Sequence, residues 1–211
     1  MNGFYIKYVK RSLDFLGAFF LLMLLLPFLL LMIIFLSLCY KGNPFFTQRR
    51  PGLNTKIFYV IKFKSMKDIF DKNGKLLPNK DRITPIGKFL RKTSLDELPQ
   101  LFNILKGDMS FVGPRPLFES YLPYYTLFEL NRHKVRPGIT GLAQVNGRNF
   151  LGWGDRLALD IKYVDELSIK NDINILFRTF LKVVKREDIS VIPSMTPLHL
   201  VREKQNNQFD V

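Results

Sequence analysis

Phe15-Leu16-Gly17-Ala18-Phe19-Phe20-Leu21-Leu22-Met23-Leu24-Leu25-Leu26-Pro27-Phe28-Leu29-Leu30-Leu31-Met32-Ile33-Ile34-Phe35-Leu36-Ser37-Leu38-Cys39-Tyr40 runs for 26 residues without a charge. About 20 apolar residues suffice to carry a helix across a bilayer, so this stretch reads as a membrane segment. A cleaved signal peptide fits poorly, because the run is too long and no small-residue cleavage site follows it. Pro27 sits near the midpoint, where it removes a helix hydrogen bond and crowds the preceding turn. Lys7, Lys10 and Arg11 flank one end, and Lys41, Arg49, Arg50 and Lys56 flank the other. A spanning helix biases Lys and Arg to one side of the membrane. A re-entrant helix that enters the bilayer, bends at Pro27 and returns to the same face satisfies both features. Each half is then roughly 20 Å long at about 1.5 Å per residue, enough to dip but not to cross. The alternative is a spanning helix kinked at Pro27, which neighbours or water tolerate.

Charge narrows the partners. The chain carries 32 Lys and Arg against 18 Asp and Glu, a formal net charge of +14, with a pI near 9.9. Such a field attracts nucleic acid, anionic lipid headgroups or phosphorylated small molecules. A nucleic-acid-binding protein would leave the apolar run unexplained, so nucleic acid is not an expected partner. Cys39 is the single cysteine, which excludes an intrachain disulfide and fits a reducing compartment. It reads as apolar filler, with acylation at the interface the less economical alternative.

The expected fold is α/β, mostly helical, with a short β-hairpin. Residues 1–40 form the anchor, 41–190 a compact body with interfacial helices, and 191–211 a polar, irregular tail. Phe45–Gln48 and Lys56–Ser65 read as strands joined by a turn over Arg50–Asn54. Lys62 and Lys64 share one strand face. Residues 68–82 read as a surface loop. Thr84-Pro85 opens a short helix, with Thr84 as N-cap. Ser94 followed by Glu97 has the pattern of a capping box opening a helix that stops at Gly107. Residues 116–132 read as helix broken at Pro123, and 137–149 as loop with a short strand. Helices are expected over 153–167 and 172–187, the second suited either to the membrane interface or to core packing.

Asp96 and Glu97 carry the most chemistry. An ionised Asp can attack phosphorus to give a reactive acyl phosphate, and a neighbouring carboxylate can hold Mg2+ against substrate phosphate. The competing interpretation is an ordinary capped helix. Gly113-Pro114-Arg115-Pro116 fixes an arginine between two prolines, limiting the entropy lost when its fork meets a phosphate; a rigid turn with a surface arginine fits equally. Gly147-Arg148-Asn149 offers a second guanidinium, and Arg91 lies one short helix upstream of the acidic pair. His133 and His199 are the only histidines and read as a helix-end residue and a tail residue. Cys/His clusters, a Walker-type loop and a Gly-x-Gly-x-x-Gly fingerprint are absent.

Residues 93–116, which include Ser94-Leu95-Asp96-Glu97-Leu98-Pro99-Gln100 and end in Val112-Gly113-Pro114-Arg115-Pro116, closely resemble the signature of the bacterial sugar transferases. These are monotopic polyprenyl-phosphate phosphoglycosyl transferases. Arg136-Pro137-Gly138-Ile139-Thr140-Gly141 through Gly147-Arg148, Phe46–Gly52 and Lys62–Met66 match further blocks, so the resemblance covers about residues 7–187. It is strongest to the short form of the family. The resemblance implies a re-entrant helix broken at a proline, here Pro27, with Leu26 in place of the common serine. It implies Asp96 as nucleophile, Glu97 as its partner and Mg2+ as cofactor, and places Lys62, Arg91, Arg115 and Arg148 on substrate phosphate or nucleotide. The implied reaction is ping-pong. A UDP-sugar loses UMP to form a phosphosugar-enzyme, which polyprenyl phosphate then attacks. The implied location is the cytosolic face of a bacterial inner membrane, in contact with its lipids. The product would feed downstream glycosyltransferases building a glycan. A non-catalytic tethered scaffold of the same fold is the alternative.

Overall fold

The computed structural model describes residues 3, 5–147, 151–185 and 196–209. After a π-helical turn over Tyr5–Val9, helix α1 runs from Lys10 to Tyr40 with Pro27 inside it. Ala18, Leu22, Leu29 and Leu36 are buried in a stripe four and seven residues apart, the spacing of one helix face. The opposite surface stays open: Leu24 is 75% exposed, and Phe20, Leu31 and Leu38 are comparably bare. The helix is long and apolar enough to cross a membrane, and an apolar surface this extended marks a contact with lipid or protein.

Both ends of α1 hold the body that follows. Near its start, Arg11 donates to the carbonyls of Ile104 at 2.6 Å and Leu105 at 2.8 Å, and Asp14 accepts from the Phe111 amide at 3.1 Å. At its end, the hydroxyls of Tyr40 and Thr84 lie 2.9 Å apart.

Strands β1 (Phe45–Pro51) and β2 (Ile57–Phe63) form an antiparallel hairpin with Phe45 opposite Phe63 and Pro51 opposite Ile57. Asn54 and Thr55 turn the chain at positive φ. The first strand is three residues longer than expected, so Arg50 and Pro51 lie on β1 rather than in the turn. Phe58 and Val60 are buried on the face that also carries Lys62.

Within residues 68–82 only helix α2 (Asn79–Arg82) and an isolated bridge from Phe70 to Leu76 are regular. Helix α3 (Pro85–Thr93) begins as expected, with Thr84 Oγ1 accepting from the Gly87 amide at 2.9 Å. Gly87 packs so tightly on β2's exit that a Cβ there would sit 1.8 Å from the Ser65 carbonyl oxygen. Ser94 then breaks the expected pattern. It lies in the left-handed region (φ 56°, ψ 17°) and closes α3, with no side-chain cap bond. Leu95–Glu97 form a 3-10 turn, and helix α4 spans Gln100–Lys106 before Gly107 ends it at φ 90°. The capping box is instead made by Thr126 and Glu129: Glu129 accepts from the Thr126 amide at 2.8 Å and donates its own amide to Thr126 Oγ1 at 3.2 Å.

Strand β3 (Ser110–Val112) pairs in parallel with β4 (Gly138–Thr140). Between them, the stretch expected to be a broken helix forms two 3-10 segments, Glu119–Tyr124 and Glu129–Lys134. Helices α5 (Leu142–Val145), α6 (Trp153–Asp165) and α7 (Ile169–Lys185) follow. The region expected to be an irregular tail contains helix α8 (Leu198–Phe209). Leu198 is fully buried against Leu117, Tyr121, Tyr125 and Leu157, and Arg202 pairs with Glu129.

Three apolar clusters organise the molecule: one joins α1, α3, α4 and the hairpin, a second joins β3, α6 and α7, and a third gathers under α8. Buried Asp172 ties α7 to the amino-terminal segment, accepting from Tyr5, Lys10 and Tyr163 at 2.7–2.8 Å.

Candidate active site

Three elements set the position of the acidic pair. Asn103 on α4 accepts from the Ile61 amide at 3.1 Å and donates to the Tyr59 carbonyl at 2.7 Å. This clamps α4 to β2 and sets Lys62 beside the Leu95–Glu97 turn. The left-handed Ser94 reverses the chain out of α3, so Asp96 and Glu97 project toward β2 instead of along a helix.

Glu97 Oε1 accepts from Lys62 Nζ at 2.6 Å and from Arg115 Nη2 at 2.8 Å. This is why Glu97 does not reach back to Ser94. Burial works against the charge on Glu97, but Arg115 and Lys62 outweigh it and hold its carboxyl well below the usual range. Arg115 is held in its charged form chiefly by Glu97. Its backbone is fixed from behind, where Arg132 donates to the Arg115 carbonyl at 2.7 Å while pairing with Asp160 at 2.7 Å. Both Arg132 and Asp160 are buried, and removing either would strand a charge at about 3–5 kcal/mol.

Asp96 is 8% exposed. Its carboxylate has no hydrogen-bond partner among the described residues. Burial, then the neighbouring charge of Glu97, push its pKa up to about 6, with Lys62, Arg91 and Arg115 opposing. Arg91 donates to Ser65 Oγ at 3.0 Å, and the acidic pair partly offsets the burial that depresses its pKa. Thus Lys62, Arg91 and Arg115 converge on Asp96 and Glu97. Arg148 lies outside the described residues. Lys64, expected to share the face of Lys62, sits beyond β2 and approaches Asp68 at 3.9 Å. His133 is buried, which lowers its pKa to about 4, and His199 packs near Tyr121 and Tyr124.

The arrangement holds one carboxylate in two strong hydrogen bonds and leaves its neighbour open, partly desolvated and surrounded by cations. Such a group suits attack on an electrophile that itself carries negative charge, because the cations screen the approach. A family model described as bacterial sugar transferase matches residues 5–186. The chain belongs to this family. It is 48% identical over 181 residues to "Uncharacterized sugar transferase EpsL" of Bacillus subtilis, covering 86% of this chain and 90% of that protein. It is 39% identical over 201 residues to "Undecaprenyl-phosphate galactose phosphotransferase" of Salmonella typhimurium, and 40% identical over 200 residues to "Undecaprenyl-phosphate glucose phosphotransferase" of Komagataeibacter xylinus. Both matches cover 86% of this chain but only 41% and 36% of those larger proteins.

Sequence reasoning on this sugar transferase missed Asn103, Ser65 and Arg132, which position the charged groups without facing the open side. Asn103 had a signal: an amide inside an apolar helical stretch, Leu101 to Leu105, needs backbone partners when buried.

Proposed function

We propose that the chain transfers a sugar 1-phosphate from a UDP-sugar to polyprenyl phosphate through a covalent intermediate on Asp96. The observation that carries this reading is the asymmetry of the acidic pair: Glu97 is locked by Lys62 and Arg115, while Asp96 beside it is buried and has no hydrogen-bond partner among the described residues. Asp96 attacks the β-phosphorus, the bond from that phosphorus to the bridging oxygen breaks, and UMP departs with the electron pair. An oxygen of the lipid phosphate then attacks the same phosphorus and the bond to Asp96 breaks, restoring the carboxylate. With a pKa near 6, Asp96 is mostly ionised at neutral pH yet remains only partly solvated, which favours attack.

Among the described residues there is no group of three or more metal-type ligands. Mg2+ does not need one, since it commonly takes one or two carboxylates together with substrate phosphate and water. Asp96 and Glu97 fit that donor set and would hold it. When bound, the ion would offset charge on the diphosphate. Arg115 and Arg91 serve the same end from the protein, and Lys62 keeps Glu97 oriented.

The relatives' names support the acceptor, and α1 supports its delivery. We read α1 as a re-entrant anchor whose two ends stay on the cytosolic face of a bacterial inner membrane. The central Pro27, the basic residues at both ends and the attachment of both ends to one body support this. A soluble donor and a lipid acceptor would then meet at headgroup level. The test is UMP release across a panel of UDP-sugars, with and without undecaprenyl phosphate. Release with one donor and lipid product is expected; no release with any donor would favour a non-catalytic tether.

A further inference from the structure

Arg115, which pairs with Glu97, also acts on two further arginines, Arg50 and Arg156. The Arg50 guanidinium stands 4.0 Å from the Phe118 ring centre. Phe118 meets Tyr121 edge-on at 5.3 Å, Tyr121 meets Trp153 edge-on at 5.4 Å, and Arg156 lies 5.0 Å from the Trp153 ring. The result is an arc of three aromatic rings with an arginine at each end. Arg115 is close enough to act on both of those arginines: burial first, and then its charge, lower the pKa of each, Arg50 to about 10.

Three guanidiniums gathered in this way repel one another, while Asp160 acts on Arg156 in the opposite sense. Glu97 is held by Lys62 and Arg115, and Asp160 by Arg132. Among the described residues Arg50 has no carboxylate partner; it donates to Gln48 at 2.6 Å. A polyanion bound between Arg50, Arg115 and Arg156 would relieve the repulsion, and charge-assisted bonds to phosphate are strong. The rings add faces and edges on which a planar base can pack. Phe118 is 41% exposed and Trp153 partly so.

We propose that Arg50 and Arg156, with the ring arc between them, bind the nucleoside monophosphate half of the donor and hold it as the leaving group. The inference rests on the donor reading above. With the β-phosphorus at Asp96, the rest of the donor must extend from it, and Arg115 links the two places. The lipid phosphate is the other source of the same chemistry. The arc favours the nucleotide, because Tyr121 and Trp153 belong to the cluster under α8, whereas α1 packs in a different cluster. Helix α8 becomes part of the site's frame. Trp153 Nε1 donates to the Thr196 carbonyl at 2.8 Å, and His199 lies behind Tyr121.

Calorimetric titration of the full chain with UDP tests this, with the fluorescence of Trp153, its only tryptophan, as a second signal. Saturable binding that alters the fluorescence is expected. Arg50→Gln and Arg156→Gln should each weaken UDP by about tenfold or more and raise KM for the UDP-sugar, leaving KM for polyprenyl phosphate within about twofold. Phe118→Leu, at a half-open ring, should weaken UDP in the same direction. Wild-type UDP affinity in all three variants, with normal melting, would overturn the proposal. So would a KM increase confined to the lipid. Failure of the wild-type chain to bind any of UDP, GDP, CDP or ADP would instead sink the donor reading, and this inference with it.

Discussion

Lys62 Nζ lies 2.6 Å from Glu97 Oε1, so the strand and the acidic turn, 35 residues apart in the chain, meet through one charged hydrogen bond. Lys62 also acts on Asp96, lowering a pKa that burial and Glu97 raise. Lys62→Met should therefore move the acid limb of the kcat/KM profile to higher pH, because Asp96 will protonate more readily. Steady-state rates from about pH 5 to 9 read this. An acid limb that stays in place while the rate falls would mean that Lys62 acts on substrate and not through the pair.

The same burial that tunes Asp96 works against the fold. Its pKa rises on folding from 3.8 to about 6, so the folded protein holds the proton more tightly than the unfolded chain. The contribution from Asp96 is most favourable below about pH 4 and is lost as pH rises through 6. Asp96→Asn should accordingly raise Tm at pH 8, by the equivalent of roughly 3 kcal/mol, and leave it nearly unchanged at pH 4. Equal effects at the two pH values would show that charge is not the cause.

Topology follows from Pro27. With Cys39 replaced, a cysteine introduced at position 2 should resist a membrane-impermeant thiol reagent in intact cells, and react once the cells are broken. Pro27→Ala restores a helix hydrogen bond and should favour a straight span. That would expose the introduced thiol outside the cell and depress activity. Labelling of the Pro27 form from outside would contradict the re-entrant reading.

Patterns with a local physical cause were legible in the sequence. The apolar run, the hairpin around residues 45–63 and the Thr84 cap each depend on neighbours a few residues away. The misreading at Ser94 arose because the same spacing of hydroxyl and carboxylate occurs at Thr126 and Glu129. No local rule shows that Ser94 turns left-handed and that Lys62 and Arg115 draw Glu97 away. Strand β3 escaped because three residues carry no period, and its partner lies beyond two 3-10 segments. Helix α8 escaped because its composition is polar and much of its hold on the body is one leucine and two polar contacts, Arg202 to Glu129 and Glu203 to Tyr124. Of the candidate site, Lys62, Arg91, Asp96, Glu97 and Arg115 could be singled out in the sequence and lie together in the fold, but Asn103, Ser65 and Arg132 were not singled out, and neither was the asymmetry of the acidic pair. Which carboxylate is bound and which is left open depends on groups remote in the chain.

The nucleophile is the centre of the account, and one labelling measurement tests it most directly. The protein is incubated with a UDP-sugar labelled in the β-phosphate, without lipid acceptor, and protein-bound label is measured in the wild type, Asp96→Asn and Glu97→Gln. Asp96→Asn retains the side chain's size but removes the charge that attacks phosphorus. The account predicts label on the wild type that polyprenyl phosphate removes, none on Asp96→Asn, and slow labelling on Glu97→Gln as its bonds to Lys62 and Arg115 weaken. Wild-type protein that turns over normally with lipid yet never carries label, or Asp96→Asn that labels like the wild type, would contradict it.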